Sequence, residues 1–302
     1  MALSRLSGDE QGIILGQLRN TLEPRLAMYF SSASSELRSL LTPAVRQQLR
    51  ADHEVAAALC VKMGMRSCKE LREAKTVDWS DKGLSAADLA TLSTLGSVLP
   101  ALETLELAES SGAAGPDGVQ RLAEGLTAGA LPAVTCFDIT NMHVGDAGAS
   151  ALAAALDRGA LPRLGCLFLA NADIGDAALL ALAPALRRLP ALEHLYLYEN
   201  PFGDEGLAAL VAPPPPPAGA PPLPTGGLKK LELLNLDCTQ VSDAGCAALA
   251  AALDSGALPA LVSLWLNDIA ASDAAKAAVY EARANLLDGA ESEDESDDDE
   301  GS

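Results

Sequence analysis

One pattern of apolar and polar residues recurs seven times along this chain of 302 residues. Each copy begins at a leucine, continues with apolar residues at every second position, and ends in a polar turn before an Ala/Leu segment with helical spacing. The clearest copy is LPALEHLYLYENPFGDEGLAAL, residues 189–210. The copies begin at Leu71, Leu99, Leu131, Leu161, Leu189, Leu228 and Leu258, at intervals of 28 to 39 residues. Such a period predicts a solenoid of stacked strand–helix units.

The alternation within each copy predicts which side chains face the interior. In LPALEHLYL the later leucines share one side of a strand, and His194, Tyr196 and Tyr198 share the other. A single unit has nothing against which to bury its leucines, so neighbouring units must stack. Equivalent positions of successive strands then form columns with a spacing of about 4.8 Å.

The arrangement LxxLxLxxN, followed by GDxG and ALAxAL, resembles the ribonuclease-inhibitor-like leucine-rich repeats over about residues 71–287. The resemblance implies an α/β leucine-rich-repeat solenoid of about seven rungs, with a curved parallel β-sheet inside and helices outside. It also implies a ladder of backbone hydrogen bonds made by the Asn of each repeat. Only Asn200 fills that position here, so we expect an incomplete ladder. The other copies hold Ser110, Met142, Ala172, Thr239 and Ile269.

The turns between strand and helix carry glycine and aspartate at fixed places. We expect the glycines to adopt positive φ, and the aspartates that follow to cap the N-terminus of their own helix. The glycines are Gly145, Gly175 and Gly203, and the aspartates are Asp146, Asp176, Asp204, Asp243 and Asp273.

Residues 1–70 show helical spacing without the repeat. Thr42 before Pro43 is typical of an N-cap followed by proline in the first turn, and Gly64 is placed to end that helix. We predict a helical N-terminal cap that covers the apolar end of the first rung. The alternative is a separate docking module, such as a degenerate F-box-like helical segment.

The net charge of −20 is unevenly distributed. Residues 1–70 carry +2, the repeat region 71–287 carries −13, and the tail 288–302 carries −9. This field repels nucleic acid and anionic membranes and attracts basic partners. The sequence has no run of about 18 apolar residues, so no membrane span is predicted.

Two segments of low complexity differ from the repeats. The insertion APPPPPAGAPPLPTGG, residues 212–227, favours polyproline II and is either a tolerated insertion or a ligand for a WW, SH3 or profilin-type domain. The tail 288–302 is too acidic and too poor in apolar residues to fold. It is either a solvating tail or a docking element for basic partners. Ser292 and Ser296, each followed three residues later by an acid, are phosphorylation candidates.

The N-terminal sequence and the cysteines indicate the compartment. MALSRLSGDE turns polar before an apolar run forms, which is unlike a secretory signal. The six cysteines form no CxxC pair. We therefore expect reduced thiols in a cytoplasmic or nuclear protein. We also expect a monomer.

Stacking places one outward side chain of each strand in a central column. Three acids come first, followed by a stretch with three aromatics: Asp78, Glu106, Asp138, Phe168, Tyr196, Asn235 and Trp265. Glu199, Asp237 and Asp268 flank this column. Exposed aromatics beside charges are typical of interface hot spots. We predict that a partner binds at Asp78, Glu106, Asp138, Phe168, His194, Tyr196, Tyr198 and Trp265.

The same face offers little for catalysis or for a metal ion. Cys136, Cys166 and His194 share another outward column. The outer two lie about 9.6 Å apart along the ladder, whereas zinc ligands lie within about 2.0–2.3 Å of one ion. An open sheet has no closed pocket, and GxxxxGK[ST], HExxH and GxSxG do not occur in the sequence. We predict no metal, no cofactor and no enzymatic activity.

These features predict a non-catalytic protein–protein interaction scaffold whose concave face binds a partner of basic character. Two alternatives stay open. Ran GTPase-activating proteins combine such repeats with an acidic tail, but their activity involves an arginine, and the strand-to-helix loops carry none here. The repeat-plus-tail layout also resembles acidic leucine-rich nuclear phosphoproteins, which implies an acidic-tail chaperone for basic, histone-like proteins.

Overall fold

The computed structural model describes residues 20–33, 41–211, 227–283 and 285–288. Within them eight short strands form one parallel sheet whose strand order follows the chain. The strands are β1 (Thr76–Asp78), β2 (Thr104–Glu106), β3 (Cys136–Asp138), β4 (Cys166–Phe168), β5 (His194–Tyr196), β6 (Leu233–Asn235), β7 (Ser263–Trp265) and β8 (Leu287–Asp288). The first seven are the predicted strands, so the predicted α/β solenoid is confirmed. The repeat pattern did not predict β8.

Each of the first seven strands pairs with the next at the same position in its unit. The middle residue of each faces the interior and is at most 1% exposed. This buried column comprises Val77, Leu105, Phe137, Leu167, Leu195, Leu234 and Leu264. The predicted inward and outward sides are therefore confirmed, because a register slip of one residue would have exchanged them.

Helices occupy the other side of the solenoid. In the part of the chain that the structure describes, α1 (Pro24–Ala33), α2 (Pro43–Lys62) and α3 (Cys68–Glu73) precede the sheet. One helix then follows each of the first seven strands: α4 (Ala86–Leu95), α5 (Gly118–Gly125), α6 (Gly145–Asp157), α7 (Asp176–Leu186), α8 (Asp204–Val211), α9 (Asp243–Asp254) and α10 (Asp273–Glu281). Consecutive helices of this series pack on one another. Packed helices lie about 8–10 Å apart, whereas paired strands lie about 4.8 Å apart. The array therefore curves with the sheet on its concave side.

The ends of α2 follow from its local sequence. Thr42 Oγ1 accepts a hydrogen bond from the N–H of Val45 at 3.3 Å, so the predicted N-cap is confirmed. Gly64 adopts a φ of 77° just after the helix. A residue in this left-handed region ends a helix readily when it is glycine, because glycine has no Cβ to clash.

The helix α2 packs against the first rung. Ala56 and Leu59 belong to the same buried cluster as Val77 of β1. Lys62, at the end of α2, donates from Nζ to the carbonyl of Gly83 at 2.7 Å. The apolar interior thus continues from the rungs into the N-terminal helices. A division of the chain at residue 70 stays a prediction.

Three of the five aspartates at the helix N-termini, Asp176, Asp204 and Asp243, serve the neighbouring unit, which corrects the expectation that they cap their own helices. For Asp146 and Asp273 that expectation stays a prediction. Asp176 is the first residue of α7, and the residue before it is the N-cap. Its carboxylate accepts hydrogen bonds from the N–H groups of Gly203 at 2.9 Å and Gly206 at 2.7 Å. These N–H groups begin the next helix and lack partners within it. Stacking therefore turns the carboxylate into the cap of the following unit.

The next two units repeat this arrangement with serine. Asp204 accepts from the N–H and the hydroxyl of Ser242 at 2.8 and 2.6 Å. Asp243 accepts from the N–H and the hydroxyl of Ser272 at 2.6 and 3.0 Å. Each serine in turn caps its own helix, α9 or α10. Burial alone would raise the pKa of Asp204, but hydrogen bonds from Ser242 and Gly245 lower that pKa below its ordinary value.

Two glycines leave the space that these carboxylates occupy. A Cβ atom at Gly206 would lie 2.9 Å from an oxygen of Asp176, and one at Gly245 would lie 2.4 Å from an oxygen of Asp204. Both distances are too short for a side chain without a shift of the carboxylate. The second glycine of GDxG is therefore explained by the close approach of the preceding unit.

The first glycine of the turn meets the expectation of a positive φ in one of three cases. Gly145 adopts a φ of 53°. Gly175 has a φ of −88° and is the N-cap residue of α7, and Gly203 also lies outside the left-handed region. In the turns of Gly175 and Gly203 the left-handed residues are instead Asn171 (φ 46°), Asp173 (φ 55°) and Glu199 (φ 56°). Asparagine and aspartate tolerate this conformation, so the first of these turns does not need glycine there.

Asn200 joins two units from a buried position, where it is 2% exposed. Its Oδ1 accepts from the N–H groups of Ala172 at 3.1 Å and Ile174 at 3.0 Å in the preceding unit. Its Nδ2 donates to the carbonyls of Leu169 at 2.8 Å and Leu197 at 2.9 Å. One amide thus satisfies buried backbone groups of both units.

Other side chains replace part of this function where Asn is missing. Glu109 is 1% exposed and accepts from the N–H groups of Leu84 at 2.9 Å and Ser111 at 3.1 Å. Burial alone would raise the pKa of Glu109, but the hydrogen bonds from Ser111 and Leu84 hold that pKa below its ordinary value. Thr239 Oγ1 donates to the carbonyl of Leu236 at 2.7 Å. The ladder is therefore incomplete, as expected, and in these two units another side chain bonds to backbone groups of the turn.

Replacing Asn200 by Ala is expected to lower the free energy of unfolding by about 3 kcal/mol, because the buried N–H groups of Ala172 and Ile174 lose their acceptor. Urea unfolding followed by circular dichroism measures the loss. The control is Asn267→Ala, which removes one long hydrogen bond of 3.4 Å at a half-exposed site. This control is expected to cost no more than about 1 kcal/mol. Equal losses in the two variants would contradict the role given to Asn200.

The variant Asp204→Asn is expected to be less stable than the wild type at neutral pH, with a difference that shrinks in acid. A carboxyl group whose pKa is lowered by folding stabilises the fold above its ordinary pKa, and this contribution is lost as the pH falls through the folded value. Unfolding free energies measured from pH 7 down to about pH 2.5, across the ordinary Asp pKa of about 3.9, test this. The exposed Asp254→Asn serves as control. A difference for Asp204→Asn that stays constant over this range would refute the linkage.

Candidate functional site

The predicted central column lies on the concave side of the sheet in the expected order. We name its seven residues the concave column: Asp78, Glu106, Asp138, Phe168, Tyr196, Asn235 and Trp265. Each pairs in register with the next. Asp78 is exposed, and the other members are half-buried with one exception. Side chains from seven separate units are thus brought next to one another.

Asn235 is the exception and corrects the expectation of an exposed residue. It is 3% exposed, and its register partners are the larger Tyr196 and Trp265. Its Oδ1 accepts a hydrogen bond from the N–H of Asp237 at 2.9 Å. The short side chain therefore lies low in the column, and the aromatic residues on both sides form the accessible surface.

The first part of the column consists of three adjacent carboxylates. Burial raises the pKa of Glu106, and the neighbouring charges of Asp78 and Asp138 raise it further. The outer two carboxylates accept from their own turns, Asp78 from the N–H of Ser80 at 3.0 Å and Asp138 from that of Thr140 at 2.7 Å. These hydrogen bonds from Ser80 lower the pKa of Asp78. Asp78, whose pKa is lowered, therefore stays ionised more readily than Glu106, whose pKa is raised.

The second part begins with a pair of stacked aromatic rings. The ring centroids of Phe168 and Tyr196 lie 4.3 Å apart, and the ring planes differ by 6°. Tyr198, two residues further along the chain, is half-buried on the same side. Burial raises the pKa of Tyr196, and burial with the nearby charges of Glu199 and Asp138 raises the pKa of Tyr198. Both phenols stay neutral and offer rigid apolar surface at neutral pH.

Trp265 stands apart from the stacked pair. It is two strands beyond Tyr196, so about 9.6 Å separates their positions along the sheet. Its indole Nε1 donates to the hydroxyl of Ser263 at 3.0 Å, which holds the ring over its own strand. The face therefore offers aromatic contacts at two places.

A second outward column contains His194. His194 pairs in register with Cys166 on one side and with Leu233 on the other, and it is half-buried. Cys166 pairs in turn with Cys136. The sequence predicts that His194 binds a partner and that the three residues together form no metal site. Among the described residues, no group of three or more His, Cys, Asp or Glu side chains is placed to hold a metal ion.

Arginine side chains on the helix side bind neighbouring units, a role that sequence reasoning missed. Arg158 Nη2 donates to the carbonyls of Ala123 and Leu126, each at 3.1 Å. Arg187 Nη1 donates to the carbonyl of Ala209 at 3.4 Å. These guanidinium groups satisfy carbonyls near helix ends. No regular spacing in the sequence marks these arginines, because Arg158 bonds to the preceding unit and Arg187 bonds to the following one.

Several predicted sites lie outside the described residues. The insertion 212–227 is described only at its last residue, and the tail 288–302 only at its first. Ser292 and Ser296 as phosphorylation sites, and the insertion as a ligand for WW, SH3 or profilin-type domains, stay predictions. No helix within residues 20–33, 41–211, 227–283 and 285–288 has the length and apolar character needed to cross a membrane.

Two segments of the chain match a family model described as Leucine Rich repeat, namely residues 189–211 and 227–250. The first contains β5 and α8, and the second contains β6 and the start of α9. No curated protein sequence matches the chain. The matched segments and the one-sheet architecture together define the fold as a leucine-rich-repeat solenoid.

Solved structures with a similar fold come from distant proteins. An internalin from Listeria monocytogenes is 15% identical, with 70% of this chain and 52% of that chain covered and a TM-score of 0.36. This chain thus spans about half the length of that internalin. A protein from Bacteroides fragilis is 13% identical over 78% of this chain and 69% of its own, with a TM-score of 0.44. A chain in the complex of Rad7 and Elc1 from yeast is 16% identical, with 83% of this chain and 84% of that chain covered and a TM-score of 0.28. These likenesses concern the fold alone.

The Glu106 carboxyl group is expected to titrate above the ordinary range of glutamate, because it is partly buried between two carboxylates. Carboxyl-detected NMR over a pH series measures this pKa. Replacing either neighbour, in Asp78→Asn or Asp138→Asn, is expected to lower it. The distant Asp254→Asn is the control and leaves it unchanged. A Glu106 pKa at or below the ordinary value in the wild type would show that the three carboxylates do not interact.

Proposed function

We propose that the chain is a non-catalytic protein-interaction scaffold that binds a basic protein segment along the concave column. The observation that carries this proposal is the order of the column. Three acidic side chains are followed directly by the stacked Phe168–Tyr196 pair, with Trp265 further along. An acidic part and an aromatic part thus share one continuous sheet. Curved solenoids of this kind commonly use their concave surface for binding.

The acidic part favours a cationic partner. Asp78, Glu106 and Asp138 follow one another at about 4.8 Å along the ladder. Burial, and then repulsion from Asp78 and Asp138, raise the pKa of Glu106. An Arg or Lys side chain relieves that repulsion and forms charge-assisted hydrogen bonds. The net charge of −13 on residues 71–287 adds long-range attraction, which raises the rate of association.

The aromatic part favours a partner residue with an apolar or planar group. The stacked Phe168 and Tyr196 rings are held by each other, so they lose little conformational entropy when a partner packs on them. Arginine suits both parts, because its guanidinium stacks on an aromatic ring and also forms paired hydrogen bonds to a carboxylate. We therefore expect arginine to be preferred over lysine near Asp138 and Phe168.

We also propose that the repeats are of the ribonuclease-inhibitor-like subtype and that the protein works in the cytoplasm or the nucleus. A helix in each of the seven units, and intervals of 28 to 32 residues in all but one unit, support the subtype. The six cysteines are free. Free cysteines are usual in reducing compartments.

Random peptides displayed on phage and selected on the immobilised full-length protein test the partner chemistry. The retained peptides are expected to be rich in Arg combined with an aromatic or aliphatic residue. For a retained peptide, Tyr196→Ala with Trp265→Ala is expected to weaken binding at least about tenfold. The thermal unfolding temperature should hardly change, because both side chains lie on the face. The control is Tyr29→Ala, an aromatic residue of α1 that is 70% exposed; it should bind as the wild type does.

Binding of the same retained peptide also measures how much the acidic part of the column contributes, separately from the aromatic part. Asp78→Asn, Glu106→Gln and Asp138→Asn together are expected to weaken binding and to make the remaining binding less sensitive to salt, because exposed charges are screened over about 8–10 Å. Asp254→Asn with Glu281→Gln removes two exposed charges from helix ends, away from the concave column, and is the control. Selection of acidic peptides, or full binding by the aromatic double variant, would remove the concave column as the binding site.

A further inference from the structure

Two cysteines face each other where the acidic and aromatic parts of the face meet. Cys136 begins β3 and Cys166 begins β4, and the two are register partners. Both are half-exposed free thiols. Two residues further along the same strands are Asp138 and Phe168, the last acid and the first aromatic of the concave column.

The spacing of the strands suits a covalent link between these thiols. Register partners on paired strands have Cα atoms about 4.8 Å apart, and disulfides form between Cα atoms about 4.4–6.8 Å apart. The sheet is concave on the side that carries both thiols, so neighbouring side chains converge above it. The register pairing of Cys136 with Cys166 therefore places their Cα atoms within the range at which disulfides form.

The two thiols also differ in reactivity. A hydrogen bond from the Cys166 thiol lowers the pKa of Cys136, in spite of opposing contributions from burial and from Glu106 and Asp138. The same hydrogen bond, with burial, raises the pKa of Cys166. Because the thiolate is the nucleophile in thiol–disulfide exchange, Cys136 reacts first and Cys166 follows.

We propose that Cys136 and Cys166 form a reversible dithiol–disulfide site that reacts with low-molecular-weight disulfides of the glutathione class. The Cys136 thiolate attacks one sulfur of the small disulfide, forms a mixed disulfide and releases one thiolate, which takes up a proton. The Cys166 sulfur, after losing its proton to solvent, attacks the Cys136 sulfur and displaces the second small thiolate. Overall, two protein thiols are oxidised to one disulfide and one small disulfide is reduced to two thiols.

Another cysteine pair shows why the reaction should be selective. The sulfur atoms of Cys60 and Cys68 lie 4.0 Å apart. These residues are only 1% and 6% exposed, however, and burial raises the pKa of Cys60 to about 12. Cys60 is therefore protonated and both sulfurs are shielded from a small disulfide, whereas the pair on the concave face is accessible.

The link would fasten β3 to β4 beside the concave column. An effect of oxidation on partner binding rests on the proposed function, because it requires that the partner occupy this face. The formation of the disulfide does not depend on a partner. The two proposals can therefore fail separately.

Peptide mapping of the full-length protein tests the disulfide site directly. The protein is incubated with oxidised glutathione, its remaining thiols are blocked with N-ethylmaleimide, and trypsin then separates Cys136 in peptide 122–158 from Cys166 in peptide 164–187. The expected product is these two peptides joined by a disulfide, with the loss of two thiols per chain and full recovery by dithiothreitol.

Single variants distinguish ring closure from simple modification. Cys166→Ser is expected to retain glutathione on Cys136 as a stable mixed disulfide. Cys136→Ser is expected to take up glutathione on Cys166 at least about tenfold more slowly than Cys166→Ser takes it up on Cys136, since the better nucleophile is gone. Cys238→Ser is the control and should form the joined peptides as the wild type does. A wild-type protein that keeps glutathione on either cysteine without joining them, or that first joins Cys60 to Cys68, would overturn the proposal.

Discussion

The in-register pairing of strands only three residues long determines where every functional side chain lies. Such strands are too short to be stable singly, and they persist because each contributes its middle residue to a continuous buried column. A slip of one residue would expose Val77 or Leu264 and bury the charged Asp78, so the interior fixes the register. The order of acids and aromatics on the concave face thus follows from packing on the opposite side of the same strands. No contact among the face residues is needed to set it.

Hydrogen bonds between neighbouring units keep the rungs aligned on the helix side. The carboxylates of Asp176 and Asp204, the amide of Asn200 and the guanidinium of Arg158 all satisfy backbone groups of an adjacent unit. A buried backbone group without a partner is costly, so the loss of one unit would destabilise the next. The units therefore depend on one another, and the concave column is presented by a rigid support. Rigidity lowers the entropy that a partner's binding would otherwise cost.

The repeat and its alternation predicted the strands, the helices and the columns, because these properties belong to one unit and its copies. What depends on contacts between units was harder to foresee. Asp204 has the right place in its own unit to cap its own helix, and only stacking brings the N–H of Ser242 within reach. The burial of Asn235 likewise depends on the larger side chains of the strands beside it. The strand β8 carries only two residues and no alternation, so no sequence signal marked it.

The unit that begins at Leu189 is 39 residues long, yet β5 and β6 pair in the same register as the strands of the shorter units. The hydrogen bonds between strands set the distance between rungs, and the number of residues between two strands does not enter into it. Insertions and deletions on the convex side can therefore accumulate during evolution without moving the residues that a partner would contact. Natural selection can therefore alter the helix side of the solenoid without altering the binding residues of the concave face.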